Sequence, residues 1–148
     1  MTARQYGLTQ AEADALVMEI KNAVDDRVTL PSGGQQRTRF TVQAEDGEGF
    51  SIALYRGARN PAKQHVAAIA VDRGGIPLLR LCVNGTPHTN PDGTVIPGTH
   101  WHIYTEGYGD SYATPAGDIT SPSFAENTIR LLDRFHVIKK PDMQESLL

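Results

Sequence analysis

Residues 35–56 read QQRTRFTVQAEDGEGFSIALYR. In 35–44, Phe40, Val42 and Ala44 alternate with Arg37, Arg39, Thr41 and Gln43, the period of a strand with one buried face. Segment 49–56 repeats the pattern, with Phe50, Ile52 and Leu54 turned inward. The four residues between them, Glu45-Asp46-Gly47-Glu48, form a short Asp-Gly turn, so the two strands are predicted to make a β-hairpin. A hairpin with one apolar face needs a cover, and the flanking sequence supplies helices for it.

Upstream, Thr9 and Glu12 have the spacing of a capping box. Ala13, Leu16, Val17, Ile20, Ala23 and Val24 then recur every three or four residues, which predicts an amphipathic helix over 10–25. The acidic pair Asp25 and Asp26 is expected at its solvated end. Downstream, the loop RGARNPAK at 56–63 leads to a third strand at 64–72, a DRGG turn, and a fourth strand at 76–84, apolar on both faces except at Arg80. These connections are too short for parallel crossovers and favour antiparallel neighbours. A fifth strand is expected at 99–106. A turn-rich loop follows, and then a second helix capped by Ser121 or Ser123, with Phe124, Thr128, Leu131, Leu132 and Phe135 on its inner face. The expected fold is α+β: a mainly antiparallel sheet of five to six strands with an N-terminal and a C-terminal helix packed on it. One domain over 1–148 is expected, fraying at 142–148.

Composition bounds the function. A net charge of −3 provides no general field for polyanions, so any nucleic-acid contact must come from a local patch. Cys82 is the only cysteine, which excludes an intramolecular disulfide and a Cys-rich zinc knuckle; its apolar neighbours suit a small core residue. The N-terminus lacks an apolar signal region and no apolar run approaches a membrane span, so a cytoplasmic protein without membrane contact is expected. Phosphate-loop and dinucleotide-binding patterns are absent.

Chemistry concentrates in residues 88–110, HTNPDGTVIPGTHWHIYTEGYGD. Asn90-Pro91-Asp92-Gly93 suits a tight turn. On an extended strand His100, His102, Tyr104 and Glu106 share one face, and Trp101, Ile103 and Thr105 the other. His100 and His102 can approach one ion, but Glu106 lies roughly 13 Å beyond His102 along a straight strand; His88 can join them if its loop folds back, and stays remote if Asn90 to Gly93 is a tight hairpin turn that pairs it near Val95. No metal or other cofactor is therefore assigned. Two imidazoles near neutral pKa suit general acid–base work, such as RNA cleavage through its own 2′-hydroxyl. His65 and His136 stand apart from this segment and are read as structural or solvent residues.

The segments LCVNG, HTNPDG, GTHWHIY and EGYGD, within 81–110, resemble a family of small uncharacterised proteins of bacteria and their mobile elements. The resemblance implies a phage, defence or toxin-type setting and brings no assigned catalytic residue.

The candidate catalytic residues are His100, His102, Tyr104 and Glu106. The candidate substrate contacts are Arg56, Arg59, His88, Asn90 and Asp92. Two functions are expected from this pattern. One is binding or processing of nucleic acid, with metal-independent RNA cleavage by the paired histidines and RNA or another phosphate-bearing ligand as partner. The other is a non-enzymatic protein that docks on a host or defence complex.

Overall fold

The protein is described by a computed structural model covering residues 7–32 and 37–145. In chain order, helix α1 (Gln10–Met18) precedes strands β1 (Lys21–Ala23), β2 (Arg27–Thr29), β3 (Arg37–Ala44), β4 (Gly49–Arg56), β5 (Gln64–Ala70) and β6 (Ile76–Val83). Strands β7 (His88–Thr89), β8 (Val95–Ile96), β9 (His100–Ile103) and β10 (Ala113–Pro115) follow, and then helix α2 (Phe124–Arg134) and strands β11 (Val137–Lys139) and β12 (Asp142–Gln144). The expected hairpin is β3–β4, running from Arg37 opposite Tyr55 to Gln43 opposite Gly49. Gln35 and Gln36 lie outside the described residues.

The hairpin sits inside an eight-stranded sheet of order β10-β9-β6-β5-β4-β3-β1-β11. Every neighbouring pair is antiparallel except β1 with β11. The five anticipated strands are all present, and the three additional ones, β1, β10 and β11, hold three residues each. Segments that short carry no readable period, which is why five to six strands became eight.

Alternation sends Phe40, Val42, Phe50, Ile52, Leu54, Val66, Ala68, Leu81 and Trp101 into one core with Leu16, Phe124, Leu131, Leu132 and Phe135 from the helices and the turn after α2. Each fully buried Leu, Ile or Phe contributes about 1.5–3 kcal/mol relative to exposure. The face of α2 is the predicted one, and Ser123 is its cap, accepting a hydrogen bond from the Glu126 amide. Phe135 meets Phe50 edge-on with ring centroids 5.3 Å apart.

The first helix is capped by Thr9 and Glu12 as expected, but it stops at Met18 rather than at 25. Glu19 turns extended, and residues 21–23 pair with both β3 and β11. Ile20 and Val24, expected on the buried stripe, are 57% and 56% exposed. Lys21 goes inside instead. Its ammonium donates to the carbonyls of Val17, Glu19 and Phe135 at 3.1, 2.8 and 2.8 Å and lies 3.7 Å from the centroid of the Phe135 ring. The open helix end and this cation satisfy each other. Asp25 and Asp26 consequently follow a strand, not a helix, and Asp25 accepts from the Thr41 amide at 3.3 Å.

The tail is also more ordered than expected. Asp142–Gln144 pairs in parallel with Arg27–Thr29, and of the tail only residues 146–148 lie outside the described residues. Among the described residues, no helix is long and apolar enough to cross a membrane.

Candidate functional site on the open face of the sheet

The helices cover one face of the sheet, and register decides what gathers on the other. Arg37 pairs with Tyr55, Tyr55 with His65, His65 with Cys82, and Cys82 with His100. Two residues along, Arg39, Ala53, Ala67, Arg80 and His102 form a second row. Cross-strand partners project to the same side, so the two rows place five strands' outward residues on one surface.

At one end of these rows lies a groove of about 390 Å³, lined by Arg37, Thr38, Arg39, Ala53, Leu54, Tyr55, Lys63, His65, Ala67 and Arg80. That volume falls within the ~300–1,000 Å³ typical of small-molecule sites. Ala53 and Ala67 make a low floor. Tyr55 and His65 lie with ring centroids 5.3 Å apart, and the Arg37 guanidinium is 5.3 Å from the Tyr55 centroid. Among the described residues, no carboxylate lines the groove. Among the described residues, no ion pair involves Arg37, Arg39 or Lys63. Arg80 pairs with Asp110 at 3.4 Å, while its buried Nε has no hydrogen-bond partner among the described residues. Burial, reinforced by Arg80 and Lys63, lowers the His65 pKa to about 4, so the ring is neutral at pH 7.

At the other end, His100 and His102 are each only 3% exposed. Their Nε2 atoms face each other at 3.0 Å. His100 Nδ1 lies 2.6 Å from the Pro97 carbonyl, and His102 Nδ1 lies 2.7 Å from that of Asp110. A carbonyl only accepts, so each Nδ1 carries its ring's proton. Burial lowers both imidazole pKa values, that of His102 to about 4. Cys82 is buried beside them, and burial raises its thiol pKa. One potential ligand atom from each of Cys82, His100 and His102 lies within 4.8 Å of the others.

The hairpin β7–β8 folds over this cluster. His88 pairs with Ile96, close to the predicted register, yet its ring is 4.7 Å from that of His102 and 5.8 Å from that of His100. The expectation that this pairing keeps it remote is therefore corrected: the hairpin leans onto the sheet instead of continuing its plane. The base of the hairpin is a close backbone approach. The Gly85 amide donates to the Gly98 carbonyl at 3.0 Å, and a Cβ at Gly98 would lie 2.1 Å from the Gly85 carbonyl oxygen. Only glycine fits there.

Of the other predicted site residues, Tyr104, Glu106, Asn90, Asp92 and Arg56 serve the framework. Tyr104 does not share the histidine face, because β9 ends at Ile103; its ring enters the core and its hydroxyl donates to the Leu8 carbonyl at 2.7 Å. Glu106 accepts from the amide of Gln10, the first residue of α1, at 2.7 Å. Asn90 binds the edge strand at Ala113, and Asp92 closes its own turn by accepting from the Thr94 amide at 2.9 Å. Arg56 pairs with Glu145 at 3.3 Å and lies over the Phe124 ring, away from the groove. Arg59 is exposed in the loop after β4 and does not line the groove. His136, in a left-handed turn at φ 61°, is tied through Nδ1 to the Val17 carbonyl and is structural.

Arg37 and Arg39 face outward as the alternation of their strand predicts, but local pattern does not join them to Tyr55, Lys63, His65 and Arg80. The one local signal was Arg80, a charge inside an otherwise apolar strand.

A family model described as a family of unknown function (DUF6978) matches residues 8–137. No curated protein matches, and no solved structure matches.

Proposed function

This chain belongs to the DUF6978 family, whose function is unknown, and from its open sheet face we propose that it binds single-stranded nucleic acid. The observation that carries the reading is the groove holding Arg37, Arg39, Lys63 and Arg80 with no carboxylate among its described lining residues, beside the Tyr55–His65 ring pair. Single strands expose two things, a phosphate backbone that attracts cations and bases whose faces stack on aromatic or guanidinium planes. The groove offers both within one surface. A neutral His65 stacks without competing for the phosphates.

The burial of His100 and His102 favours binding over acid–base cleavage, since neither Nε2 is aimed at the groove. Arg37, Arg39 and Lys63 replace Arg56 and Arg59 as the anion contacts. The setting proposed with this activity is the one the resemblance implies, a cytosolic phage, defence or toxin-type system.

Fluorescence anisotropy with short labelled single-stranded RNA and DNA tests the proposal. Binding should weaken with salt, and the double substitution Arg37→Gln, Arg39→Gln should reduce the log–log salt slope by about 0.7 for each phosphate that is no longer neutralised. Absence of salt-dependent binding at low ionic strength, or identical slopes for both proteins, would overturn the proposal in favour of a protein-docking face.

A further inference from the structure

We propose that Cys82, His100 and His102 form a binding site for a divalent transition metal of the zinc type, with the Sγ and the two Nε2 atoms as ligands.

Both Nδ1 atoms sit 2.6–2.7 Å from backbone carbonyls and must carry hydrogen there, which leaves both Nε2 atoms as bare acceptors. These acceptors face each other at 3.0 Å inside the protein. Two lone pairs at that distance repel unless a cation lies between them. Switching either ring to its other tautomer moves the conflict to the carbonyl and does not remove it. The arrangement is short of one positive centre.

Geometry then selects a metal. Two nitrogens bound at 2.0–2.1 Å to a tetrahedral ion stand about 3.3 Å apart, so the observed pair needs to open by only about 0.3 Å. Metal-bound histidines donate their other ring N–H to a carbonyl or carboxylate, which fixes ring orientation; His100 and His102 both do so. Cys82 is the cross-strand partner of His100, and its ligand atom lies within 4.8 Å of those of both histidines. Mixed nitrogen and sulfur donors suit zinc and its neighbours rather than magnesium or calcium.

The charge balance is accessible. Binding releases the Cys82 proton to solvent and leaves the thiolate on the ion, so M²⁺ with one thiolate and two neutral imidazoles carries a single positive charge. Arg80 opposes that charge, and Asp110, paired with Arg80, offsets it. His88 stands alongside: its Nε2 lies 2.7 Å from the Ser111 carbonyl, and its ring meets that of His102 in a T-shaped contact with centroids 4.7 Å apart.

Cobalt(II) is the probe. Metal-free full-length protein titrated with Co²⁺ should reach saturation at one equivalent, with a near-ultraviolet thiolate-to-cobalt absorption that Zn²⁺ abolishes. Cys82→Ser should lose that absorption, and His102→Gln should weaken cobalt binding on the order of tenfold or more. If His102→Gln fails to fold, the wild-type titration and Cys82→Ser still decide. A spectrum no different from the free ion, or a near-ultraviolet band retained in Cys82→Ser, overturns the proposal. So does nitrogen NMR that finds a single proton shared between the Nε2 atoms in protein that takes up no cobalt. The titration contains no nucleic acid, so its result is independent of the function proposed for the groove.

Discussion

The Asn90 side chain holds Ala113 by two hydrogen bonds at once. Its Nδ2 donates to the Ala113 carbonyl at 3.0 Å, and its Oδ1 accepts from the Ala113 amide at 2.8 Å. A single side chain thereby acts as one residue of an extra strand on the edge of β10 and pins the hairpin that carries His88. Asn90→Ala leaves both backbone groups without these partners, at an expected cost of about 1–3 kcal/mol. Urea denaturation checks this, and an unchanged midpoint would mean that water replaces the amide without loss.

Lys21 is the next structural test. Lys21→Met removes the ammonium from three carbonyls, of which Val17 retains His136 while those of Glu19 and Phe135 lose this donor. The expected loss is about 2–4 kcal/mol, more than a surface lysine could account for. A loss within about 0.5 kcal/mol, the range of ordinary surface substitutions, would show that the cation is dispensable.

His65 makes a pH prediction. Its folded pKa of about 4 lies below the ordinary value of 6.5. Between those limits the unfolded chain holds the proton and the native chain does not, so stability is lost as pH falls from 6.5 to about 4 and is unaffected by this group above 6.5. His100 and His102, also lowered, act in the same direction. Denaturation across this range should show a shallower pH slope for His65→Gln than for wild type. Equal slopes would contradict the assignment.

Tyr55 separates stacking from charge. Tyr55→Ala should weaken oligonucleotide binding by about 1–3 kcal/mol per stacked base, whereas Tyr55→Phe should keep most of the affinity. Anisotropy at one fixed salt concentration distinguishes them, and equal affinities for wild type and Tyr55→Ala would remove the ring from the site.

Tyr104→Phe deletes the hydroxyl that bonds the Leu8 carbonyl and should cost about 1 kcal/mol of stability without changing nucleic-acid affinity. Loss of binding at unchanged stability would instead return Tyr104 to the functional face.

Local pattern in the sequence determined the framework. Alternation in 37–56, the capping box at Thr9 and the apolar stripe after Ser123 each depend on residues within a few positions of one another, and they produced the central hairpin, the start of α1 and the inner face of α2. The same pattern drew attention to His100 and His102. It failed where a distant partner overruled a local preference: β11 and β3 capture residues 21–23 from the predicted helix, and Tyr104 leaves its strand to reach Leu8. Register across five strands and the fold-back of one hairpin were decided by tertiary structure alone. A strand's own period states which side a residue faces but not which residue of another strand stands beside it. That is why Arg37, Tyr55, His65, Cys82 and His100, spread over 64 positions of sequence, become neighbours in one row only once the sheet is assembled.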